Sequence, residues 1–168
     1  MNTGFRWRFF EAGQMKLVTR DLLARLSEEA RSSLRLRKNH NLHPSNESHC
    51  HRLLNAIEPG SYIRPHRHLD PEKGEAMVLM SGRLGIVLFS EEGEIRETVL
   101  LSRENGVLAI DIPSGTYHAA VSLEPGTVFF EAKAGPYLPL SEDEAAAWAP
   151  AEEDDARSAY LEGLRRCF

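Results

Sequence analysis

The segment from residue 50 to about residue 136 alternates short runs of β-forming residues with turn signals. The turns are marked by dipeptides such as Pro59-Gly60, Asn105-Gly106 and Pro125-Gly126. The candidate strands span residues 50–57, 61–68, 75–81, 84–90, 95–101, 107–112, 117–123 and 127–133. Many short strands at intervals of roughly 8–12 residues, with no helical pattern between them, predict an all-β antiparallel sandwich or barrel.

A different pattern precedes these strands. After Thr19, apolar residues recur at helical intervals between charged ones, at Leu22, Leu23, Leu26 and Ala30. This spacing predicts an amphipathic helix with Thr19 as its N-cap. Residues 39–48 are polar and rich in turn-forming types, so they are interpreted as a loop.

The stretch that follows the strands is rich in alanine and acidic residues, and it predicts one or two short helices after residue 140. We therefore expect three parts in the chain. They are an N-terminal helix and polar loop arm over 1–48, a barrel over 49–137 and a helical C-terminal tail over 138–168.

Composition argues against several classes of protein. The 168 residues carry a net charge of −5, whereas a nucleic-acid-binding surface needs a basic face. No run of 18 apolar residues is present, and the sequence MNTGFRWRFFEAG lacks the apolar core of a signal peptide. A cytoplasmic protein is expected, without nucleic-acid or membrane partners and with Cys50 and Cys167 as reduced thiols.

Histidine is concentrated in one part of the chain. Six of the seven histidines fall between residues 40 and 68, and the seventh is His118. His66 and His68 occupy alternate positions of the candidate strand 61–68, so their side chains should point to the same face, together with Tyr62 and Arg64. Two imidazoles at this spacing can chelate a metal ion.

Two further candidate ligands open later strands, Glu75 at the start of 75–81 and His118 at the start of 117–123. Three neutral imidazoles and one carboxylate suit a divalent transition metal, namely Fe, Mn, Ni, Cu or Zn. Such a set leaves coordination positions open for water or substrate, as in catalytic sites.

These residues resemble the two motifs of the cupin superfamily. Gly60-x5-His66-x-His68-x6-Glu75-x6-Gly82 resembles the first motif, and Gly106-x6-Pro113-x-Gly115-x2-His118 resembles the second. The resemblance implies a small jelly-roll barrel in which these three histidines and the glutamate hold one metal ion. The gap before Glu75 is longer than usual and leaves Glu72 as a rival, but Glu75 keeps the six-residue gap to Gly82.

Longer blocks resemble the WbuC family of cupin-fold metalloproteins. They include Asn41-Leu-His43, Arg64-Pro-His-Arg-His68 and Glu131-Ala-Lys-Ala-Gly-Pro-Tyr137, and the resemblance spans roughly residues 35–153. That family is associated with bacterial O-antigen and surface-polysaccharide gene clusters. The resemblance implies a metal site. It indicates the substrate only weakly and implies no particular reaction.

The strand 127–133 places Glu131 and Lys133 on one face. They are either a solvent-facing ion pair or a pair lining the pocket, in which Glu131 moves a proton and Lys133 holds an anionic group. On the face of the histidines, Tyr62 is the other candidate for proton transfer and Arg64 the other for anion binding. The family block favours the pocket slightly.

The polar segment before the barrel has two interpretations as well. Asn41 and His43 belong either to an ordinary loop or to a lid over the open coordination side. His49 and His51 could form a second metal site, but an exposed edge strand explains them more simply.

The sequence thus predicts a metal-dependent enzyme of isomerase or epimerase type that acts on a small anionic or sugar-like molecule. One alternative is an Fe(II) dioxygenase, which would use the same open positions for dioxygen. The other is a metal-dependent binding or accessory protein without catalytic activity. A homodimer is expected, because jelly rolls have exposed sheet edges that often pair.

Overall fold

The computed structural model describes residues 15–168. The first 14 residues of the predicted N-terminal arm lie outside this range. Within it the elements are α1 (Arg20–Arg31), β1 (Arg37–Asn41), β2 (Cys50–Ile57), β3 (Glu75–Ser81), β4 (Leu84–Phe89), β5 (Ile95–Leu101), β6 (Ala109–Ile112), β7 (His118–Ser122), β8 (Thr127–Ala134) and α2 (Arg157–Arg165).

The strands form two antiparallel sheets. The larger has the order β1-β2-β8-β3-β6, and the smaller has the order β5-β4-β7. Met77 and Leu79 of the larger sheet pack in one buried cluster with Leu84 and Ile86 of the smaller sheet. The structure confirms the predicted fold class, an all-β jelly roll with an N-terminal helical arm and a short helical tail. The two sheets face each other without closing into a continuous barrel.

Helix α1 covers the outer face of the larger sheet. Its N-cap is Thr19, whose side chain accepts a hydrogen bond from the Leu22 N–H at 3.2 Å, as predicted. Leu26 and Ala30 are buried against sheet residues that include Leu54 and Val128. The amphipathic spacing of α1 therefore reflects packing against the sheet.

Helix α2 and the preceding tail cover the other sheet. Leu161 and Leu164 are buried in a cluster with Val87 and Val121. Neither helix in residues 15–168 is long and apolar enough to cross a membrane.

Two of the predicted elements differ from the structure. Residues 39–41, predicted as loop, belong to edge strand β1, which pairs with β2 from Arg37 opposite Ile57 to Asn41 opposite Leu53. Strand β1 has a polar sequence without a hydrophobic face, which explains why periodicity missed it.

The predicted strand 61–68 does not form. In this segment only His66 makes β-bridges, to His118 and to Ala145. The Arg67 N–H donates to Glu144 O and the Pro65 carbonyl accepts from the Ala146 N–H, so the segment also pairs with the C-terminal tail. Pro65 itself has no N–H for a strand ladder.

Candidate metal centre

The inner face of the larger sheet carries a row of polar side chains. Glu75 of β3 lies opposite Lys133 of β8, and Lys133 lies opposite His51 of β2. Glu131 is two residues before Lys133 and therefore points to the same face. Together with His66, His68 and His118, these residues line a cavity of about 680 Å³ between the sheets.

The three histidines reach this cavity from two different segments. His66 and His118 exchange backbone hydrogen bonds, with N···O distances of 3.0 and 2.9 Å, and their ring centroids lie 4.7 Å apart. The ring centroid of His68 lies 5.6 Å from that of His66. The reciprocal backbone pair thus holds the His-x-His segment beside the start of β7.

Glu75 lies between the histidines. Its Oε1 is 2.8 Å from His68 Nε2, and its Oε2 is 3.2 Å from His118 Nε2. The ligand atoms of His66, His68 and Glu75 all lie within 4.8 Å of one another. The structure therefore brings together all four residues predicted as ligands, and we call them the His3Glu cluster. Glu72, the rival carboxylate, is exposed in the turn before β3.

The hydrogen bonds of two histidines suit metal binding. His66 Nδ1 lies 3.0 Å from Arg64 O, and His118 Nδ1 lies 2.9 Å from Thr116 O. A carbonyl oxygen can only accept, so each Nδ1 carries a proton, and Nε2 is the nitrogen left to bind a metal. Metal-bound histidines are usually oriented in this way by a carbonyl or carboxylate. The donor set and its tautomers thus fit a divalent transition metal.

The pKa values of the two buried carboxyl groups, Glu75 and Glu131, are shifted in opposite directions. Burial raises the pKa of Glu75, but hydrogen bonds from His118 and His68 and the charge of Lys133 lower it more, so the pKa lies well below its usual value. Burial and the negative charge of Glu75 raise the pKa of Glu131. The two groups thus differ in proton affinity, with Glu75 the carboxylate and Glu131 the better proton carrier.

The pKa values of His66 and His118 are also shifted in opposite directions. Burial and the proximity of His118 lower the pKa of His66 to about 3, so His66 is neutral at physiological pH. Burial lowers the pKa of His118 as well, but the hydrogen bond and the charge of Glu75 outweigh it and raise that pKa. A neutral imidazole is the form that binds a metal.

Lys133 lies between two carboxylates. Its Nζ is 2.6 Å from Glu75 Oε1 and 2.8 Å from Glu131 Oε1. The Asn55 amide donates to Glu131 Oε2 at 2.7 Å. The Glu131–Lys133 pair lines the cavity and does not face solvent, which is the second of the two interpretations of the sequence. Lys133, however, already neutralises protein carboxylates and is less available for a substrate anion than predicted.

The structure places Tyr62 and Arg64 away from the cavity, so their predicted roles are corrected. Tyr62 packs in the buried cluster beneath α2, and its hydroxyl donates to Pro150 O at 2.8 Å. Arg64 donates from Nε and Nη2 to Ala146 O at 3.0 and 2.7 Å. Both assignments assumed strand alternation over residues 61–68, and no regular strand forms there.

Sequence reasoning missed Lys73. Its side chain lines the cavity, the residue is only 8% exposed, and it makes no ion pair within residues 15–168. A lysine in the turn-rich stretch Asp70-Pro-Glu-Lys-Gly74 is typical of a solvated loop, so no pattern identified it.

His51 was predicted on an exposed edge and is buried instead, as is His43. The two rings stack with centroids 4.1 Å apart and an interplanar angle of 8°. β1 pairs outside β2, so β2 is an interior strand and His51 faces the cavity.

Comparison with known proteins supplies a family. A family model described as a domain of unknown function (DUF6016) matches residues 18–101, which is half of the chain. Among curated proteins, no sequence matches the chain.

Solved structures that are similar to the chain include one described as a cupin superfamily protein. KdgF from Halomonas sp. is 22% identical, with 61% of this chain and 82% of that chain covered and a TM-score of 0.46. An oxalate oxidase in complex with the substrate analogue glycolate is 15% identical, with 63% and 54% covered and a TM-score of 0.49. A cupin superfamily protein from Desulfitobacterium hafniense DCB-2 is 10% identical, with 58% and 76% covered and a TM-score of 0.46.

Proposed function

The chain belongs to the DUF6016 family. We propose that it is a metal-dependent enzyme acting on a small anionic or sugar-like molecule, with isomerase or epimerase chemistry. The observation that carries the proposal is the His3Glu cluster with a second carboxyl group of raised pKa, Glu131, in the same cavity. His66, His68, Glu75 and His118 would hold one divalent ion. Such an ion polarises a carbonyl or hydroxyl oxygen and so acidifies the neighbouring C–H.

The charges in the cavity favour an anionic ligand. The lining holds Glu75 and Glu131 against Lys73, Lys133, Arg35 and Arg37, of which Arg37 pairs with Glu152. A divalent cation adds to this positive excess, which an anionic ligand would neutralise. Lys73 lines the cavity and makes no ion pair among residues 15–168, so its ammonium is available to an anionic ligand. Lys73 thus takes the anion-binding role that the sequence assigned to Arg64 and Lys133.

Glu131 is the proposed proton carrier. Asn55 and Lys133 fix its two oxygens, and its raised pKa brings protonation closer to neutral pH. A carboxyl group held in this way can take a proton from one carbon of a ligand and return it to another. Tyr62 cannot do so from its place beneath α2, so Glu131 alone keeps the predicted catalytic role.

The test of this function is hydrogen exchange. Mn(II)-loaded protein is incubated in D2O with 2-hydroxy and 2-keto acids, and loss of the C–H signal is followed by NMR. Glu131→Gln should slow exchange by at least about 100-fold, the usual contribution of a general base, while bound metal is unchanged. The matched control is Glu97→Gln, a change on the exposed face of β5.

Two outcomes would contradict the proposal. If wild-type protein binds the acids but exchanges none of them, the non-catalytic binding protein is the correct alternative. If Glu131→Gln exchanges as fast as wild type, another group moves the proton. The Fe(II) dioxygenase needs no such base and would also be insensitive to this substitution.

Lys73 gives a separate prediction. Lys73→Gln should weaken oxalate binding to the Mn(II)-loaded protein by roughly tenfold or more, because a hydrogen bond to a charged group is lost. Isothermal titration calorimetry measures the effect, with Lys38→Gln as the control, since Lys38 is half exposed and pairs with Glu29 at 3.4 Å. Equal losses in both variants would show a non-specific effect of net charge.

Three further expectations stay predictions. They are a role in bacterial surface-polysaccharide metabolism, which derives from the WbuC-like motifs, a cytoplasmic location and a homodimer. The edge strands β1 and β5 carry mostly exposed side chains and are the candidate surfaces for pairing.

A further inference from the structure

The cavity extends beyond the His3Glu cluster to the stacked imidazoles of His43 and His51. His51 lies opposite Lys133, and Lys133 lies opposite Glu75, so two strand spacings separate His51 from the cluster. Neighbouring strands lie about 4.8 Å apart, which puts the two ends of the row about 10 Å apart. His43 stacks on His51 and therefore marks the far end of the cavity.

His43 Nδ1 lies against the backbone of Arg52. It is 3.1 Å from Arg52 N and 3.0 Å from Arg52 O, which also accepts the Leu42 N–H at 2.8 Å. Backbone groups therefore occupy Nδ1, whichever ring nitrogen carries the proton.

The other ring nitrogen of His43, Nε2, is unpaired among the described residues. His43 is only 4% exposed, and its Nε2 is buried without a hydrogen-bond partner among residues 15–168. Its stacking partner differs, because His51 Nε2 lies 3.0 Å from Asn46 O and donates to it. A buried polar atom without a hydrogen-bond partner is uncommon and costly, and His43 lies on the cavity wall, so a ligand in the cavity is the candidate partner.

We propose that His43 Nε2 forms a hydrogen bond with a hydroxyl group of the ligand whose other end is held at the His3Glu cluster. This inference rests on the proposed function, because it takes the cluster as the first anchor. It deepens that function by selecting an elongated polyhydroxy acid over a small one. A linear sugar acid such as gluconate is long enough to use both anchors, whereas glycolate reaches only the cluster.

The variant that tests this is His43→Asn. Asparagine Oδ1 can occupy the position of Nδ1 and accept the Arg52 N–H, while no group replaces Nε2. The matched control is His40→Asn on β1, because His40 does not line the cavity. Melting temperatures of both variants verify that the fold is retained.

Titration calorimetry of Mn(II)-loaded protein with gluconate and with glycolate is the measurement. Gluconate affinity should fall by about threefold to tenfold in His43→Asn, as expected for one hydrogen bond. Glycolate affinity should not change, and His40→Asn should match wild type for both acids.

Three results would overturn the inference. In the first, the His43→Asn variant binds gluconate as tightly as wild-type protein does, which means that only water contacts Nε2. In the second, both acids weaken equally, which means that the substitution disturbs the cluster. In the third, wild type binds gluconate no more tightly than glycolate. Failure to bind Mn(II) at all is a different result, read from metal analysis, and it contradicts the proposed function itself.

Discussion

Glu75→Gln lowers the affinity of the protein for Mn(II) by more than about 100-fold, because even residues that only orient metal ligands contribute about 10–100-fold. The two carboxylate oxygens of Glu75 lie 2.8 and 3.2 Å from the Nε2 atoms of His68 and His118. Glutamine keeps the size of the side chain but replaces one oxygen by an N–H2 group, which cannot bind a metal. It also removes the negative charge that stabilises a bound cation.

Glu72→Gln is the matched control for this prediction. Glu72 is three residues away in the same connection, but it is exposed, and the structure gives it no contact with the cluster. We expect its metal affinity to equal that of wild type, measured by competition with a chromogenic chelator. If Glu72→Gln loses the metal and Glu75→Gln retains it, Glu75 is not the ligand.

His118→Ala abolishes stoichiometric metal binding and leaves the β fold in place. The imidazole is 3% exposed and supplies one of the three Nε2 atoms of the cluster, so its removal takes away a ligand and opens a small buried space. The backbone bridge between His66 and residue 118 does not depend on the imidazole, so the two segments stay paired in the variant. We expect a modest loss of stability, on the order of 1–3 kcal/mol.

Metal content and circular dichroism check the prediction for His118. The matched control is His49→Ala, because His49 is exposed just before β2 and does not line the cavity. His49→Ala should bind metal as wild type does. Stoichiometric metal in His118→Ala, with an unchanged affinity, would show that His118 is not a ligand.

The four candidate ligands could be predicted because each belongs to a local pattern. His66 and His68 are two residues apart, and Glu75 and His118 open strands that are visible from their β-forming residues and flanking turns. Glycine at 82 is likewise a local requirement, since its φ of +79° and the nearby Thr127 exclude a Cβ atom there. Thr19 is also local, because an N-cap depends on the next three residues alone.

The surroundings of the cluster could not be predicted in the same way. Tyr62 and Arg64 receive their partners from Pro150 and Ala146, more than 80 residues further along the chain. A face assignment from strand alternation does not include those contacts, and Pro65 prevents the regular ladder that it assumes. For the same reason the roles predicted for Tyr62 and Arg64 are wrong, whereas Glu131 on the regular strand β8 does line the cavity and its catalytic role stays a prediction.

The buried state of His43, His51 and Lys73 also depends on contacts distant in sequence. Strand β1 has a polar sequence, but its pairing with β2 makes β2 an interior strand and turns His51 into the cavity. Lys73 is buried by the walls of the same cavity, although its own segment consists of turn formers. All three residues line the cavity that contains the His3Glu cluster.

We propose that His66, His68, Glu75 and His118 bind one divalent transition metal. Elemental analysis of the untagged protein, after dialysis against Mn(II), Fe(II), Ni(II), Cu(II) and Zn(II) in turn, tests this site. We predict about one equivalent per chain for at least one of these metals, reduced to background in His118→Ala. Wild-type protein that retains none of the five, or as much metal in His118→Ala as in wild type, would contradict the assignment of this site.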